Sequence, residues 1–386
     1  MPRSAPFDRR LLAGLSPDDF LAEYWQKKPL LVRGAFPHMA PVIDAPALFE
    51  LAARDDVESR LVGVTRGRWR VQHGPFAAMP AQRSAWTLLV QGVNLHHRGA
   101  DALMRRFDFV SATRLDDLMI SHAVDGGGVG AHVDSYDVFL LQASGRRRWR
   151  WSAQRDLDLV KGAPLKQLKN FRPTDEAVLE PGDMLYLPPH IAHEGVAVGV
   201  CTTCSIGFRA PAWDELAQEF LFGLAERDWF EGRYTDPGRR ATRSPAELDR
   251  GFIDDVATRL ERIRWTRRDI ADFLGRHFSE PKASVFFDRP PAISLQRFIA
   301  RAARRGLALN PKTTMLYRGR HVFIAGETCT PQRSTLTAFR LLANRRRLDA
   351  AATASLLCDQ ASAALLHQWR QAGWIEFGKE EHDVHV

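Results

Sequence analysis

Over roughly the first two hundred residues the apolar positions fall in short runs broken by glycine, proline and aspartate. LLVRGAF (30–36) is followed by TRLDDLMISHAV (113–124), YDVFLLQ (136–142), RRRWRW (146–151), AVLEPGDMLYLPP (177–189) and GVAVGVCTTCSIGF (195–208). Several alternate apolar with polar, the period of a strand with one face buried. Many short strands with turn residues between them predict a sandwich or barrel. YDVFLLQ and RRRWRW read as the two arms of a hairpin turning at Ser144-Gly145. Helical signals appear at Pro17–Lys27, behind Ser16, and at Ala45–Ala53.

After Gly207-Phe208-Arg209-Ala210-Pro211 the period changes to that of a helix. Asp214 is placed to cap a helix carrying Leu216, Phe220 and Leu224. Ser244-Pro245-Ala246-Glu247 has the form of a capping box with proline at the first turn. It predicts a helix striped by Leu248, Phe252, Val256, Leu260 and Ile263. A further helix is expected over Thr266–Phe278. Residues 279–292, with three prolines, read as a linker. Beyond them come a helix (Ser294–Arg305), a hairpin (Met315–Tyr317 and His321–Ala325, turning at Gly319) and helices near Thr335–Asn344, Ala350–Cys358 and Ser362–Ala372. Gly373 and a strand Trp374–Phe377 close the pattern, which resembles a winged helix. The expected organisation is thus a mainly β double-stranded β-helix (jelly-roll or cupin) domain over 1–209, a helical segment over 210–280 and a winged-helix-like α/β domain over 281–386.

The chain has 386 residues, 45% hydrophobic and 26% charged, the mix of a folded protein of two or three domains. The opening Leu11–Leu15, broken by Gly14, is too short for a signal peptide. No run approaches the length of a membrane span, so a cytoplasmic protein is expected. Four cysteines exclude a disulfide scaffold. Cys201 and Cys204 form a C-x-x-C, but on a strand residues three apart face opposite sides, so they read as two core residues. The net charge of +8 is compatible with a weak RNA contact without demanding one.

The chemistry concentrates in GGGVGAHVDSYDVFLLQASGRRRWRW (126–151) and EPGDMLYLPPHIAHEG (180–195). On a strand, His132 and Asp134 share a face. Two histidines and one carboxylate with positions left open suit non-haem iron(II). The third ligand is expected from His193, at the head of the strand that follows the Pro188-Pro189 bend, with His190 as its competitor. Trp149 and Trp151 want burial, which carries Arg147 inward with them. A buried guanidinium needs a partner, either an internal carboxylate or an anionic ligand. Gly126-Gly127-Gly128-Val129-Gly130 lacks the G-K-S/T of a phosphate loop and reads as a close backbone passage. His96, His97 and His122 read as ordinary histidines, and Glu194 is not part of an H-E-x-x-H.

These residues, together with FLAEYWQKKPLLVRGAF (20–36), RLDDLMIS (114–121) and SIGFRAP (205–211), resemble the JmjC-type oxygenases. They are most similar to the bacterial ribosomal oxygenases that act as arginine 3-hydroxylases. Beyond 211 the likeness narrows to GRYTDP (232–237) and the layout. The resemblance implies Fe(II) held by His132, Asp134 and His193, with 2-oxoglutarate, bound through Arg147, and O2 as cosubstrates. It also implies dimerisation through 210–280 and a substrate arginine on the large-subunit ribosomal protein numbered sixteen. Two departures stand out: His190 replaces a usual glycine, and Ala123 stands where a hydroxyl can assist the cosubstrate, leaving Ser121, Thr203 or Ser205 to substitute. The residues alone leave open a demethylase of the same chemistry, or a non-catalytic metal-binding adaptor that contacts the ribosome or nucleic acid.

Overall fold

The computed structural model describes residues 7–65, 67–78 and 85–378. The outermost residues of the first and last expected segments, 1–6 and 379–386, lie outside it. Nine strands among the described residues join in one antiparallel sheet: β1 (Leu30–Val32), β2 (Ser59–Thr65), β3 (Arg68–His73), β4 (Trp86–Val90), β5 (Leu115–Ala123), β6 (Val138–Ser152), β7 (Asp175–Leu179), β8 (Met184–Leu187) and β9 (Ala192–Phe208). Their order is β1-β8-β6-β9-β5-β4-β2-β3, with β7 on the far half of β6. The long strands β6 and β9 bend and run together along their whole length, so the sheet curls into a jelly roll. The expected strands at 30–36, 113–124, 177–189 and 195–208 are present. Strands β2, β3 and β4 extend the sheet from a region that gave no clear strand signal.

The expected hairpin at Ser144-Gly145 is absent. Its two arms are one continuous strand, β6, whose first half pairs with β8 and second half with β7. Gly145 has φ +61°, and the register against β9 slips on either side of Ser144. A Cβ at Gly145 would fall 2.1 Å from the Val200 carbonyl oxygen. A glycine at positive φ serves a tight turn or a bulge equally well, and here it makes a bulge that bends the strand without reversing it.

The two faces of the roll are packed differently. Outside lies an aromatic core in which Phe20 contacts Phe139 and Tyr186 at ring distances of 5.6 and 5.0 Å. Phe20 is carried by helix α1 (Pro17–Glu23), which opens on a capping box between Ser16 and Asp19. Helices α2 (Ala45–Ala52), α3 (Val93–His96) and α4 (Arg98–Met104) follow in the same layer, α4 capped by the ring of His97. Asp137, fully buried, accepts from the Tyr186 hydroxyl at 2.6 Å and from Gln26 Nε2 at 3.0 Å, and pairs with Arg114 at 3.4 Å. Asp137→Ala leaves these donors unmet. It should cost about 3 kcal/mol, read as a lowered midpoint in urea unfolding. The inner face holds Val138, Leu140, Trp149, Leu179, Leu185 and Leu187. Cys201 and Cys204 point to opposite faces, Cys201 against Ala123 and Ala197 and Cys204 into the outer core. Burial pushes the Cys204 thiol up to about 12, consistent with an inert core residue.

Helices α5 (Trp213–Ala225), α6 (Arg250–Leu260) and α7 (Arg267–Ser279) follow. Two predicted starts shift. Ser244–Glu247 forms a turn, with Glu247 N–H donating to the Ser244 carbonyl at 3.0 Å. The cap is instead Asp249, whose carboxylate accepts from Phe252 N–H at 2.9 Å. Asp249 lies where its oxygen reaches a free helix N–H, and only one residue can do so. Asp214 sits inside the first turn of α5, behind Ala212 at the cap position, where its charge favours the helix dipole. Helix α7 begins where expected, on a capping box between Thr266 and Asp269.

The remaining lobe comprises α8 (Leu295–Arg305), β10 (Leu307–Leu309), β11 (Met315–Arg318), β12 (His321–Ile324), β13 (Glu327–Cys329), α9 (Leu336–Arg345), β14 (Arg347–Leu348), α10 (Ala350–Leu357), α11 (Gln360–Gln371) and β15 (Ile375–Phe377). The β11–β12 hairpin turns at Gly319 as expected. Strands β10, β13 and β14, of two or three residues, are too short to show a period.

Candidate metal centre

His132 does not sit on a regular strand, contrary to expectation. It forms a single antiparallel bridge to His193, in which each N–H donates to the other's carbonyl at 2.9 Å. Val133 and Asp134 continue in an irregular stretch before β6. The glycine-rich run before them accounts for this. It threads between β4 and β9, and a Cβ at Gly128 would fall 2.6 Å from the Gly195 carbonyl oxygen. So close a backbone passage leaves room for a bridge and not for another side-by-side strand. His193, at the head of β9, is 2% exposed.

The predicted trio converges. His193 Nε2 lies 3.6 Å from one Asp134 oxygen and His132 Nε2 3.9 Å from the other. All three ligand atoms fall within 4.8 Å of one another, the single such grouping of His, Cys, Asp and Glu among the described residues. Each ring is also pinned from behind. His132 Nδ1 lies 3.0 Å from the Gly130 carbonyl and His193 Nδ1 2.9 Å from the Ile191 carbonyl. A carbonyl only accepts, so both rings carry hydrogen on Nδ1 and turn a bare Nε2 lone pair towards Asp134. Burial, then the neighbouring His132, pushes the His193 pKa well below its ordinary value. At neutral pH its lone pair is free of a proton. Two imidazole nitrogens and a carboxylate oxygen, with the remaining directions open, match the donor set of a non-haem iron(II) site.

Arg147 is on the inner face with Trp149 and Trp151, opposite Ala197 on β9, where Trp151 faces His193. It is 5% exposed, and its Nε and Nη2 have no hydrogen-bond partner in the protein. No carboxylate of the described residues pairs with it, and its Cζ lies 5.8 Å from the centroid of the Trp149 ring. A buried guanidinium with two orphaned donors has the capacity to take an anionic ligand. The internal salt bridge is not made among the described residues. Ser121 and Thr203 pair across β5 and β9, and Ser205 lies two residues along on the same face as Thr203.

His190 is not in the cluster. It is exposed, its N–H donates to the Asp134 carbonyl at 2.8 Å, and its φ is +65°. The left-handed backbone gives the physical reason a glycine suits this position. His190→Gly should therefore raise stability by about 1 kcal/mol, measured as an increased Tm. His122 packs edge-on against Phe49 and tilted against Trp86 and contacts the Thr202 hydroxyl at 3.0 Å, an ordinary core histidine. Glu194 is engaged by Arg150.

Two residues near the mouth had no sequence signal. Asp117 and Tyr136 flank Gly207, whose absent Cβ leaves a space 3.4 Å from Asp117 Oδ1 and 4.0 Å from the Tyr136 ring. Asp117 accepts from Gly92 N–H at 3.0 Å and makes no ion pair with a described residue, though the Lys282 ammonium, paired with Asp116 at 2.8 Å, acts on it electrostatically. Burial, reinforced by the charge of Asp116, raises its pKa. Neighbouring aspartates in a sequence do not reveal which one the strand turns inwards.

Two family models match the chain: a JmjC domain over residues 102–216 and a ROXA-like winged helix over residues 262–376. The ribosomal protein uL16 3-hydroxylase of Escherichia coli is 41% identical over 234 residues, covering 60% of this chain and 62% of that protein. A probable ribosomal oxygenase of Haemophilus influenzae is 35% identical over 55% of this chain and 54% of its own length. The matched segments thus span less than two thirds of either relative. Among solved structures, the E. coli ribosomal oxygenase YcfD in complex with cobalt and 2-oxoglutarate superposes with a TM-score of 0.80 at 33% identity, covering 95% of this chain and 99% of that one.

Proposed function

The chain belongs to the JmjC-type ribosomal oxygenases, and from that premise we propose that it is an iron(II)- and 2-oxoglutarate-dependent hydroxylase. Its substrate on this reading is an arginine side chain of large-subunit ribosomal protein uL16, hydroxylated at C3. The observation that carries the proposal is the pair of bare Nε2 lone pairs turned, with an Asp134 oxygen, into one space. When bound there, iron(II) with O2 and 2-oxoglutarate supplies the oxidation: one oxygen atom enters the C–H bond, and the keto acid leaves as succinate and CO2.

The protein's own residues hold and orient. His132, Asp134 and His193 grip the metal, and the carbonyls of Gly130 and Ile191 keep the rings in register. Arg147 takes the distal carboxylate of 2-oxoglutarate, which answers its two orphaned donors. Ser121, Thr203 and Ser205 are the hydroxyls available to assist, since Ala123 offers none. The substrate arginine enters over Gly207, its stem against the Tyr136 ring and its guanidinium towards the unpaired Asp117. Asp117→Asn should raise KM for the protein substrate by about tenfold while leaving KM for 2-oxoglutarate unchanged.

In this reading residues 1–209 form the catalytic domain, 210–280 a dimerisation region and 281–386 the winged-helix-like domain. Dimerisation is supported by the apolar surface of the helical region: Trp213, Phe222 and Leu248 are 87, 71 and 75% exposed. Sedimentation of the purified protein tests it, a monomer at micromolar concentration counting against it. Among the described residues no helix is long and apolar enough to cross a membrane. On this reading the activity is cytoplasmic, where its ribosomal substrate is made, and the basic C-terminal lobe makes a weak RNA contact. The function is tested by mass spectrometry of uL16 incubated with iron(II), 2-oxoglutarate and O2. Gain of one oxygen on arginine is expected; loss of a methyl group would mark a demethylase, and no change an adaptor.

A further inference from the structure

The positive charge of this protein is not spread along the chain. Residues 294–378 carry thirteen basic residues, twelve of them arginine, against four acidic ones, a net +9 beside a whole-chain total of +8. Everything outside this lobe is nearly neutral. Arg304, Arg305, Arg318, Arg340, Arg345 and Arg347 line one cleft of about 2580 Å³, walled on its other side by the jelly roll. None of the six is in an ion pair with a described carboxylate; the pairs between the lobe and its surroundings are made by Arg346 with Asp101, Arg98 with Glu376, and Lys312 with Asp288. Two of the six are held in place by backbone: Arg305 donates to the Gly378 carbonyl and Arg340 to the Gly319 carbonyl. Arg304, Arg318, Arg345 and Arg347 are exposed.

Like charges gathered without partners repel, and the field they create favours a polyanion. Arginine rather than lysine supplies the planar fork that fits phosphate oxygens. The cleft also contains an aromatic surface. Tyr317, on the hairpin tip, lies beneath the Arg340 guanidinium, 5.5 Å from the ring centroid, and its hydroxyl accepts from Asn344 Nδ2 at 3.0 Å. An aromatic ring among arginines is the combination that holds nucleic-acid backbone and base together. The opposite wall carries both signs, Asp116 and Asp117 beside Arg98, Arg105 and Arg209, so the excess of positive charge in the cleft comes from the lobe.

We infer that the C-terminal lobe clamps the phosphate backbone of RNA in this cleft. The choice of RNA over DNA rests on the ribosomal-substrate reading; the phosphate chemistry does not. The test is fluorescence polarisation of a labelled RNA hairpin with the full-length, metal-loaded protein. If the six arginines engage phosphates, the slope of log affinity against log salt should be about −4 to −5, so that raising salt from about 50 to 200 mM weakens binding roughly 250- to 1000-fold. The variant R304Q/R318Q/R345Q/R347Q should reduce that slope by about 3 to 4. It should keep the wild-type Tm and hydroxylate isolated uL16 at the wild-type rate. Absence of RNA binding at low salt would overturn the inference, as would unchanged binding by the variant, tighter binding of a DNA duplex, or competition by polyglutamate as effective as by RNA. The assay on isolated uL16 fails separately if the substrate reading is at fault.

Discussion

His132→Ala is expected to abolish hydroxylation while leaving the protein folded. Removing a residue that merely supports a metal ligand costs about 10- to 100-fold, so loss of one ligand of three should exceed a hundredfold. The fold survives because the bridge to His193 is made by backbone groups, N–H to carbonyl at 2.9 Å in both directions, which alanine preserves. Succinate release, oxygen incorporation into arginine and a thermal melt measured on one preparation separate the two effects. A melt within about 3 °C of wild type is expected. Coupled hydroxylation at near the wild-type rate would remove His132 from the metal site. Iron(II) stands low in the affinity order of divalent metals, so zinc or nickel in the purified protein is compatible with iron as the working metal.

Arg147→Gln is expected to raise KM for 2-oxoglutarate far more than it lowers kcat. A buried charge-assisted contact contributes about 1.5–3 kcal/mol, which corresponds to a roughly 10- to 150-fold change in affinity. Lysine should restore part of the loss, since it supplies charge without the fork. A second measurement isolates the ligand's role from a structural one. In the absence of cosubstrate, Arg147 is a buried cation with two unmet donors, so the glutamine variant should melt no lower than wild type. At a hundred times the wild-type Kd, 2-oxoglutarate should stabilise the wild type by about 2.7 kcal/mol and the variant by only about 0.3–1.4 kcal/mol. A variant that melts lower without ligand and gains as much stability from it as the wild type would make Arg147 a structural residue.

Much of the site was legible because its residue types are uncommon in that company. Histidine, aspartate and arginine on segments that otherwise bury Leu, Trp and Ile cost free energy unless something uses them, and the tryptophans at 149 and 151 dictated which way Arg147 faces. Asp117 gave no such signal. It lies beside Asp116 near a bulged register between Leu115 and Leu118, and only the folded strand distinguishes the two.

By itself the chain determined what local physics controls: the strand periods of β5, β8 and β9, the start of α7, the turn at Gly319, and the inward pull on Arg147. It could not determine what depends on a neighbour distant in sequence. Gly145 carries the same signal whether the strand reverses or bulges, and the choice falls to the Val200 carbonyl lying 2.1 Å from the position of a Cβ. The start of α6 was settled by which side-chain oxygen meets a free N–H, and the path of His132–Asp134 by the closeness of the glycine run to β9. Periodicity is a property of one segment; register, bulges and the meeting of His132 with His193 are properties of pairs, and the packing that fixes them exists only once the chain is folded.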